Sequence, residues 1–448
     1  MSDTMMMTAG KPAKLILWFA VPLMLGNMLQ QVYTLVDTLI VGRALGVTAL
    51  AALGSADWYN YLMISVVQGI AQGFSILMSQ NFGASRMERL RQTVAHSAML
   101  AALGALLLTA AAQLSIWPVL GLLRVPEEIR PMTASYFRIL FAGLPAMMIF
   151  NFGACTLRAL GNSRTPLYAM LASSLLNIGL DLLFVLGFGW GIEGAAGATV
   201  IAQLFAGIYC LLAMRRIPYL RIGRGDLVRE PALDFHLMQL CTPLVLQNVL
   251  ISVGGMIVLY VANGFGVIFI AGYTATNKLY GLIEMAAVAY GYAMVTYMGQ
   301  NYGAKQYGRI RSGLRAGLLV AVATGAAVGV TMILLAGWII GAFLSGDPSD
   351  VMQAKEVAMR YLFIISSTLP ILYVLHVVRS SLQGMGDTVM PMLSGIAEFV
   401  MRAVMALVFA RFLGANAIMY GEVIAWIGAD AVLVGAIVSR MKKLPRTA

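Results

Sequence analysis

The 448-residue chain is 60% hydrophobic and only 11% charged, with a mean hydropathy of +0.84. An ordinary soluble domain carries about 25% charged residues, so a water-soluble globule is excluded. The net charge of +11 would suit nucleic acid, but the basic residues lie between long apolar windows, which points to the bilayer as partner and against nucleic acid.

A bilayer core of ~30 Å needs about 20 mainly apolar residues per helix. Windows of that kind are predicted at 15–41, 50–78, 93–117, 133–155, 167–188, 193–214, 237–261, 267–297, 314–343, 357–380, 390–412 and 417–439. These windows far exceed the ~10 residues of a tilted barrel strand and show no strict alternation, so they read as helices. The first opens on Lys11 and Lys14 and lacks a small-residue cleavage site, so it is expected to be a span and not a signal peptide.

Span one carries Pro22, Gln30, Tyr33 and, about five residues inside its outer end, Asp37. Span two closes on Gln80-Asn81-Phe82-Gly83-Ala84. Span four holds Tyr136, Pro145 and Asn151, span five Asn177 and Asp181, and span six Thr199. The segment 215–236, with arginines, prolines and glycines, reads as a linker.

Beyond it the pattern returns. Pro22 and Asn27 recur as Pro243 and Asn248, the Gln-Asn motif as Gln300-Asn301-Tyr302-Gly303-Ala304, and Tyr136, Pro145, Gly161 and Pro166 as Tyr361, Pro370, Gly386 and Pro391. The offset drifts only from 220 to 225, so two structurally equivalent halves are expected.

Basic residues concentrate in alternate loops. With the N-terminus inside, Arg86, Arg89, Arg91, Arg158, Arg215, Arg309 and Arg379 are among those facing inward, whereas outer loops hold only Arg43, Arg124, Arg130, Lys355 and Arg411. This positive-inside bias predicts cytoplasmic N- and C-termini. Six spans per half then make the repeats parallel. The expected fold class is an all-α polytopic membrane protein with twelve transmembrane helices in two six-helix lobes, related by a pseudo-two-fold axis along the membrane normal. The expected division is 1–214 for the N-lobe, 215–236 for the linker and 237–448 for the C-lobe.

Carboxylates within spans are costly and invite a functional reading. Asp37 and Asp181 lie at matching depths, on the order of 8–10 Å below the outer boundary. Asn177 precedes Asp181 by four residues and shares its helical face. Thr199 and Tyr136 reach the same layer. Two adjacent carboxylates in a low dielectric repel when both are ionised, so the pair is expected to hold a proton or, with amide and hydroxyl oxygens, a hard cation such as sodium. The alternative is a structural helix tie.

Glu398 and Arg402, four apart, suit a structural ion pair. Glu284 is a candidate cavity residue with Lys278 six residues earlier. Glu422 and Asp430 are open to interface solvation, and His376 reads as an isolated packing residue. Gln30 and Asn151 offer neutral hydrogen bonds to a passing substrate or tie helices together. Pro22, Pro145, Pro243 and Pro370 permit kinks, and their recurrence favours a helix shape shared by the halves. Cys155, Cys210 and Cys241 have no metal or redox spacing and read as buried thiols.

Together these residues resemble the MATE family of multidrug and toxic compound extrusion transporters. The resemblance rests on Gln30 to Asp37 with Val41-Gly42, the duplicated Gln-Asn-aromatic-Gly-Ala, Arg158 to Pro166, Asn177 to Asp181, and Gly194 to Thr199. It implies a V-shaped, two-lobed secondary antiporter that exports cationic or amphipathic compounds against a proton or sodium gradient, with no cofactor and as a functional monomer. It further implies a cation site at Asp37, Asn177, Asp181, Thr199 and Tyr136, and an N-lobe cavity bordered by Gln30, Tyr33 and Asn151. The span-seven and span-ten acids of another branch are missing here.

Two rival readings stand beside this one. A lipid-linked precursor flippase of the same superfamily would want a strongly basic cavity, for which the spans offer few cations beyond Lys278 and Arg402. A membrane-embedded enzyme would want a metal cluster or a nucleophile with its base, and three scattered histidines supply neither. At the repeat offset Asn177 falls opposite Arg402, Asp181 opposite Ala406 and Thr199 opposite Ile424, so the coupling chemistry is expected in the N-terminal half alone.

Overall fold

A computed structural model describes residues 4–54, 57–343 and 348–445, apart from the side chains at positions 32, 33, 35, 47, 50, 51, 342, 343 and 348. Long apolar segments form helices because only a backbone that bonds within its own segment tolerates hydrocarbon. In chain order they are α1 (Pro12–Gly54), α2 (Asp57–Gly83), α3 (Met87–Leu122), α4 (Arg130–Ala142), α5 (Leu144–Ala159), α6 (Arg164–Asp181) and α7 (Gly191–Arg215). There follow α8 (Pro231–Ala262), α9 (Val267–Gly303), α10 (Tyr307–Phe343), α11 (Pro348–Gly384), α12 (Val389–Val404), the short α13 (Ala410–Leu413) and α14 (Ala415–Lys443). Among the described residues eleven helices are long and apolar enough to cross a bilayer, and α4 with α5, bent by 43°, makes the twelfth. The protein is a multi-pass integral membrane protein.

The helices overrun the apolar windows. α3 begins at Met87 and α10 at Tyr307, because a window of hydropathy detects only the hydrocarbon part of a helix, while its polar first turn lies in the interface.

The repeat is visible in the backbone. Positive φ recurs at Gly46 and Gly266, Ser85 and Lys305, Gly161 and Gly386, and Gly191 and Gly414. The Gln-Asn-aromatic-Gly-Ala motif is a Schellman C-cap in both copies. In the first, Arg86 N–H donates to Asn81 O at 3.0 Å and Ser85 N–H to Phe82 O at 3.0 Å. In the second, Gln306 donates to Asn301 at 2.9 Å and Lys305 to Tyr302 at 3.0 Å. The asparagine ties the ended helix to the next one: Asn81 Nδ2 donates to Thr93 Oγ1 at 2.9 Å, and Asn301 Oδ1 accepts from Arg309 Nε at 3.0 Å.

Gly161 and Gly386 start the helices that carry Asn177 and Arg402. A side chain at Gly161, whose φ is +79°, would collide with the Met5 carbonyl. The next residue caps: Asn162 Oδ1 accepts from Thr165 N–H at 3.0 Å, and Asp387 Oδ1 from Met390 N–H at 3.2 Å. Both helices then run into a π-helical turn, Leu182–Gly187 after α6 and Met405–Phe409 after α12.

One expectation is corrected. The matching prolines do not give matching shapes, since Pro145 lies just past a 43° break whereas α11 passes through Pro370 unbroken. The difference lies two residues upstream. Gly143 has Val200 pressed so close that a Cβ would overlap its methyls. Its counterpart Thr368 has a side chain, whose hydroxyl donates to Ile364 O in its own helix at 2.8 Å.

The chain forms two compact units. The first comprises Met1–Met7 and Val21–Val245, and the second Thr8–Ala20 and Leu246–Ala448. Both α1 and α8 are therefore divided between units, each close to its proline, Pro22 or Pro243.

Within the first unit the 215–236 segment is clamped to α3. Arg89 grips Glu230 with two bonds of 2.6 and 2.9 Å, and Arg91 Nε lies 3.4 Å from Asp226. The Arg89 hydrogen bonds hold the Glu230 carboxyl below its ordinary range, so this contact is present at neutral pH and is lost as acid protonates Glu230. Buried His96 faces Asp234 Oδ1 at 2.7 Å from Nδ1 and Val228 O at 3.1 Å from Nε2.

Small residues let helices approach closely. At Gly73 of α2 an added Cβ would overlap the backbone and Cβ of Cys241 on α8. Gly73→Ala is expected to destabilise the protein by about 1–3 kcal/mol through overpacking, read as a lower midpoint of thermal unfolding in detergent. Gly104→Ala, whose Cβ would meet only Ile70 Cδ1 at 3.5 Å, is the control that should leave the midpoint in place.

Candidate functional site

The site in the first unit begins where α1 meets α6. Gly26 has no side chain, and a Cβ there would touch Leu167 and Met170 of α6 at 3.4 Å. From that contact Asp37 lies eleven residues on along α1, and Asp181 eleven residues beyond Met170 along α6. Equal rises of about 16 Å bring the two carboxyls to one level. They are near enough for the charge of one to act on the other.

Polar atoms here are short of partners. Asp181 is 0% exposed and Asn177 1%. Among the described residues, Asp181 Oδ1 and Oδ2, Asn177 Oδ1 and Nδ2, and Asp37 Oδ1 are buried with no hydrogen-bonding partner. The nearby hydroxyls on α1 are already committed: Thr34 Oγ1 donates to Gln30 O at 3.0 Å and Thr38 Oγ1 to Thr34 O at 2.8 Å. A buried polar atom left unpaired costs about 1–3 kcal/mol, and these five atoms form a set that a bound proton or hard cation would satisfy. The π-helical turn begins at the residue after Asp181, and such turns often mark functional sites.

Tyr136 is buried on α4, its ring 5.4 Å from Phe137. Thr199 is partly buried on α7, which packs along both α4 and α6. Neither hydrogen-bonds to Asp181 or Asn177. Asn151 donates one of its two amide hydrogens from Nδ2 to Met147 O in its own helix at 2.9 Å. Gln30 is partly buried, and the side chain of Tyr33 lies outside the described residues. Among the described residues no three His, Cys, Asp or Glu side chains gather as metal ligands. A cation in this cradle would instead meet two carboxylates and the Asn177 carbonyl, hard oxygens of the kind sodium prefers.

In the second unit the polar residues form a different object. Glu398 on α12, 3% exposed, receives Arg379 of α11 at 2.7 Å and Arg402 of its own helix at 2.9 Å. Arg402 also reaches Glu422 of α14 at 2.6 Å, and Ser394 Oγ accepts from Arg379 at 3.3 Å. The expected Glu398 and Arg402 pair is thus present inside a larger network.

Three sequence readings are corrected by this network. Arg379 is buried and ion-paired instead of facing the inner solvent. Glu422 is a largely buried partner of Arg402 and so is not solvated at an interface, while Asp430 is partly buried with its Oδ1 unpartnered among the described residues. His376 is not isolated, since its Nε2 lies 4.0 Å from Glu284 Oε1. Sequence spacing reveals pairs on one helix, and these partners come from α9, α11, α12 and α14. Glu284 keeps 31% of its side chain exposed.

The MatE family model matches the chain twice, at residues 22–183 and 243–408. A Bacillus subtilis protein described as "Probable multidrug resistance protein YoeA" is 31% identical over 73% of this chain and 72% of its own length. Thermotoga maritima NorM, with the same description, is 24% identical over 93% of this chain and 88% of its own length. A solved MOP-superfamily transporter from Pyrococcus furiosus superposes with a TM-score of 0.91 over 98% of each chain at 22% identity, which shows a shared fold.

Because the Asn177 amide makes no hydrogen bond, replacing it by an apolar side chain of similar volume removes an unpaired group and no contact. Asn177→Leu is expected to raise stability by about 1 kcal/mol in sodium-free detergent at neutral pH, measured by thermal unfolding. A loss of that size would instead make the amide structural.

Proposed function

The chain belongs to the MatE family, and from that premise we propose that it is a secondary antiporter that exports cationic or amphipathic small molecules in exchange for protons or sodium ions. Members of the family are transporters and not enzymes. The observation that carries the coupling role is the set of unpartnered buried oxygens on Asp37, Asn177 and Asp181. Multidrug export is supported by the names of the relatives, and cytoplasmic termini by the bias of basic residues towards the inner loops.

Coupling follows from electrostatics. With both carboxyls ionised and nothing between them, repulsion in a low dielectric drives α1 and α6 apart; a proton or sodium ion removes it and draws them together. An ion drives transport only by binding two states differently, and the separation of α1 from α6 is the coordinate on which its affinity depends. Gly26 marks the contact about which α1 can lean. The break at Gly46, with φ of +81°, uncouples the outer end of α1 from that movement. Pro22 loosens α1 where its residues pass from one unit to the other, and Pro243 does the same for α8.

The flippase reading loses its basic cavity, because Arg402 is neutralised by two glutamates. Glu284, partly exposed beside His376, is a carboxylate of the second unit that a cationic compound would meet.

The test is transport in proteoliposomes with a proton gradient and a sodium gradient imposed separately. Wild type is expected to move a lipophilic cation under one of them, and Asp37→Asn or Asp181→Asn to reduce movement to the level of empty liposomes. Gradient-driven transport by Asp37→Asn at the wild-type rate would overturn the assignment.

A further inference from the structure

The two halves differ in kind at one position, and the difference has a simple chemical form. α6 and α12 start at Arg164 and Val389, 225 residues apart, behind the same glycine and Asx cap, and each runs into a π-helical turn. In that register the residue opposite Asn177 is Arg402. Tyr136 has its counterpart in Tyr361, which is fully buried, stacked on Tyr273 with ring centroids 5.1 Å apart, and near both Arg402 and Glu422. The backbone frame around the cradle is therefore present in the second unit, but there Ala406 stands opposite Asp181 and a guanidinium opposite the Asn177 amide, with the acids supplied from other positions, Glu398 and Glu422.

We propose that the second unit is a cation site permanently occupied by the side chain of Arg402. This rests on the reading of the Asp37 and Asp181 cradle as a cation site. The guanidinium is held as a bound ion would be: its Nη2 lies 2.9 Å from Glu398 Oε1 and 2.6 Å from Glu422 Oε2, and Nη1 donates to Ile251 O at 3.4 Å. The stem enters past Gly254, where a Cβ would stand 3.5 Å from Arg402 Cδ.

Glu398 is pinned from its other side by Arg379, so the two arginines balance the two glutamates and the network is neutral without help from solution. Where the first unit presents two acids with no cationic side chain between them among the described residues, the second presents two acids with a cation attached to the chain. The ligand class that this pocket takes is a guanidinium: planar, cationic, with several donors for two carboxylates and a carbonyl. An attached cation cannot be exchanged across the membrane. It follows that the Arg402 pocket offers no exchangeable coupling site, and that the Arg379, Glu398, Arg402 and Glu422 network keeps one charge state throughout the cycle.

The experiment removes the attached cation and offers a free one. Arg402→Ala leaves Glu398 and Glu422 facing an emptied pocket and should lower the thermal midpoint in detergent by about 10 °C, since a buried pair has lost a partner. Guanidinium chloride at low millimolar concentration should restore part of that loss saturably in Arg402→Ala and leave wild type unmoved. Equal concentrations of sodium chloride or urea should not.

Absence of a saturable, guanidinium-specific gain in Arg402→Ala would overturn the proposal. If that variant does not accumulate, Arg402→Lys and Arg402→Met decide: the lysine should retain clearly more stability than the methionine, and equal stabilities would show that Arg402 only fills space. These measurements concern a ligand-dependent midpoint of a second-unit variant, so they stay decisive even if Asp37→Asn leaves transport intact.

Discussion

A charged group in hydrocarbon has to be neutralised, and the protein meets that requirement in two opposite ways. Moving an ion from water to the bilayer interior costs several kcal/mol even after relaxation. In the second unit the cost is offset by two arginines set against two glutamates at 2.6 to 2.9 Å. In the first unit Asp37 and Asp181 stand, among the described residues, without a cationic partner and beside an unpartnered asparagine. The first arrangement is complete without solvent ions and resists change. The second is incomplete, and that incompleteness can be worked against an ion gradient.

Much of this was legible in the sequence, for reasons specific to each feature. The twelve spans showed because a run of about 20 apolar residues is rare outside membranes. The repeat showed because its glycines and caps hold backbone geometry that few other residues supply: Gly161 and Gly386 at positive φ, Asn81 and Asn301 bridging to the following helix. Asp37 and Asp181 stood out because acids in apolar windows are scarce. What stayed hidden depends on neighbours far apart in the chain. Arg379 reads as an inner-loop cation until α12 is seen to place Glu398 beside it. Pro145 and Pro370 look equivalent until Val200 is seen pressed on Gly143.

The divergence of the halves follows the same logic. The two Schellman caps and the two Asx-capped helix starts survive in both because a turn must close whatever the unit does. The lining was free to change: Asn177 against Arg402, Gly143 against Thr368. The α4 and α5 break belongs to the unit with the open cradle and has no equivalent in the unit with the closed network.

The division of α1 and α8 between the units bears on how such a chain arose. Residues Thr8–Ala20 complete the second unit and Pro231–Val245 complete the first, so neither half-sequence contains everything its own unit needs. A half-length ancestor could have built one finished unit only by lending the start of its first helix to a second copy and borrowing that copy's in return, which is a domain-swapped dimer. Fusion of the two genes would then have joined subunits that were already interlocked. It would also have freed one copy to replace an exchangeable ion with an arginine of its own.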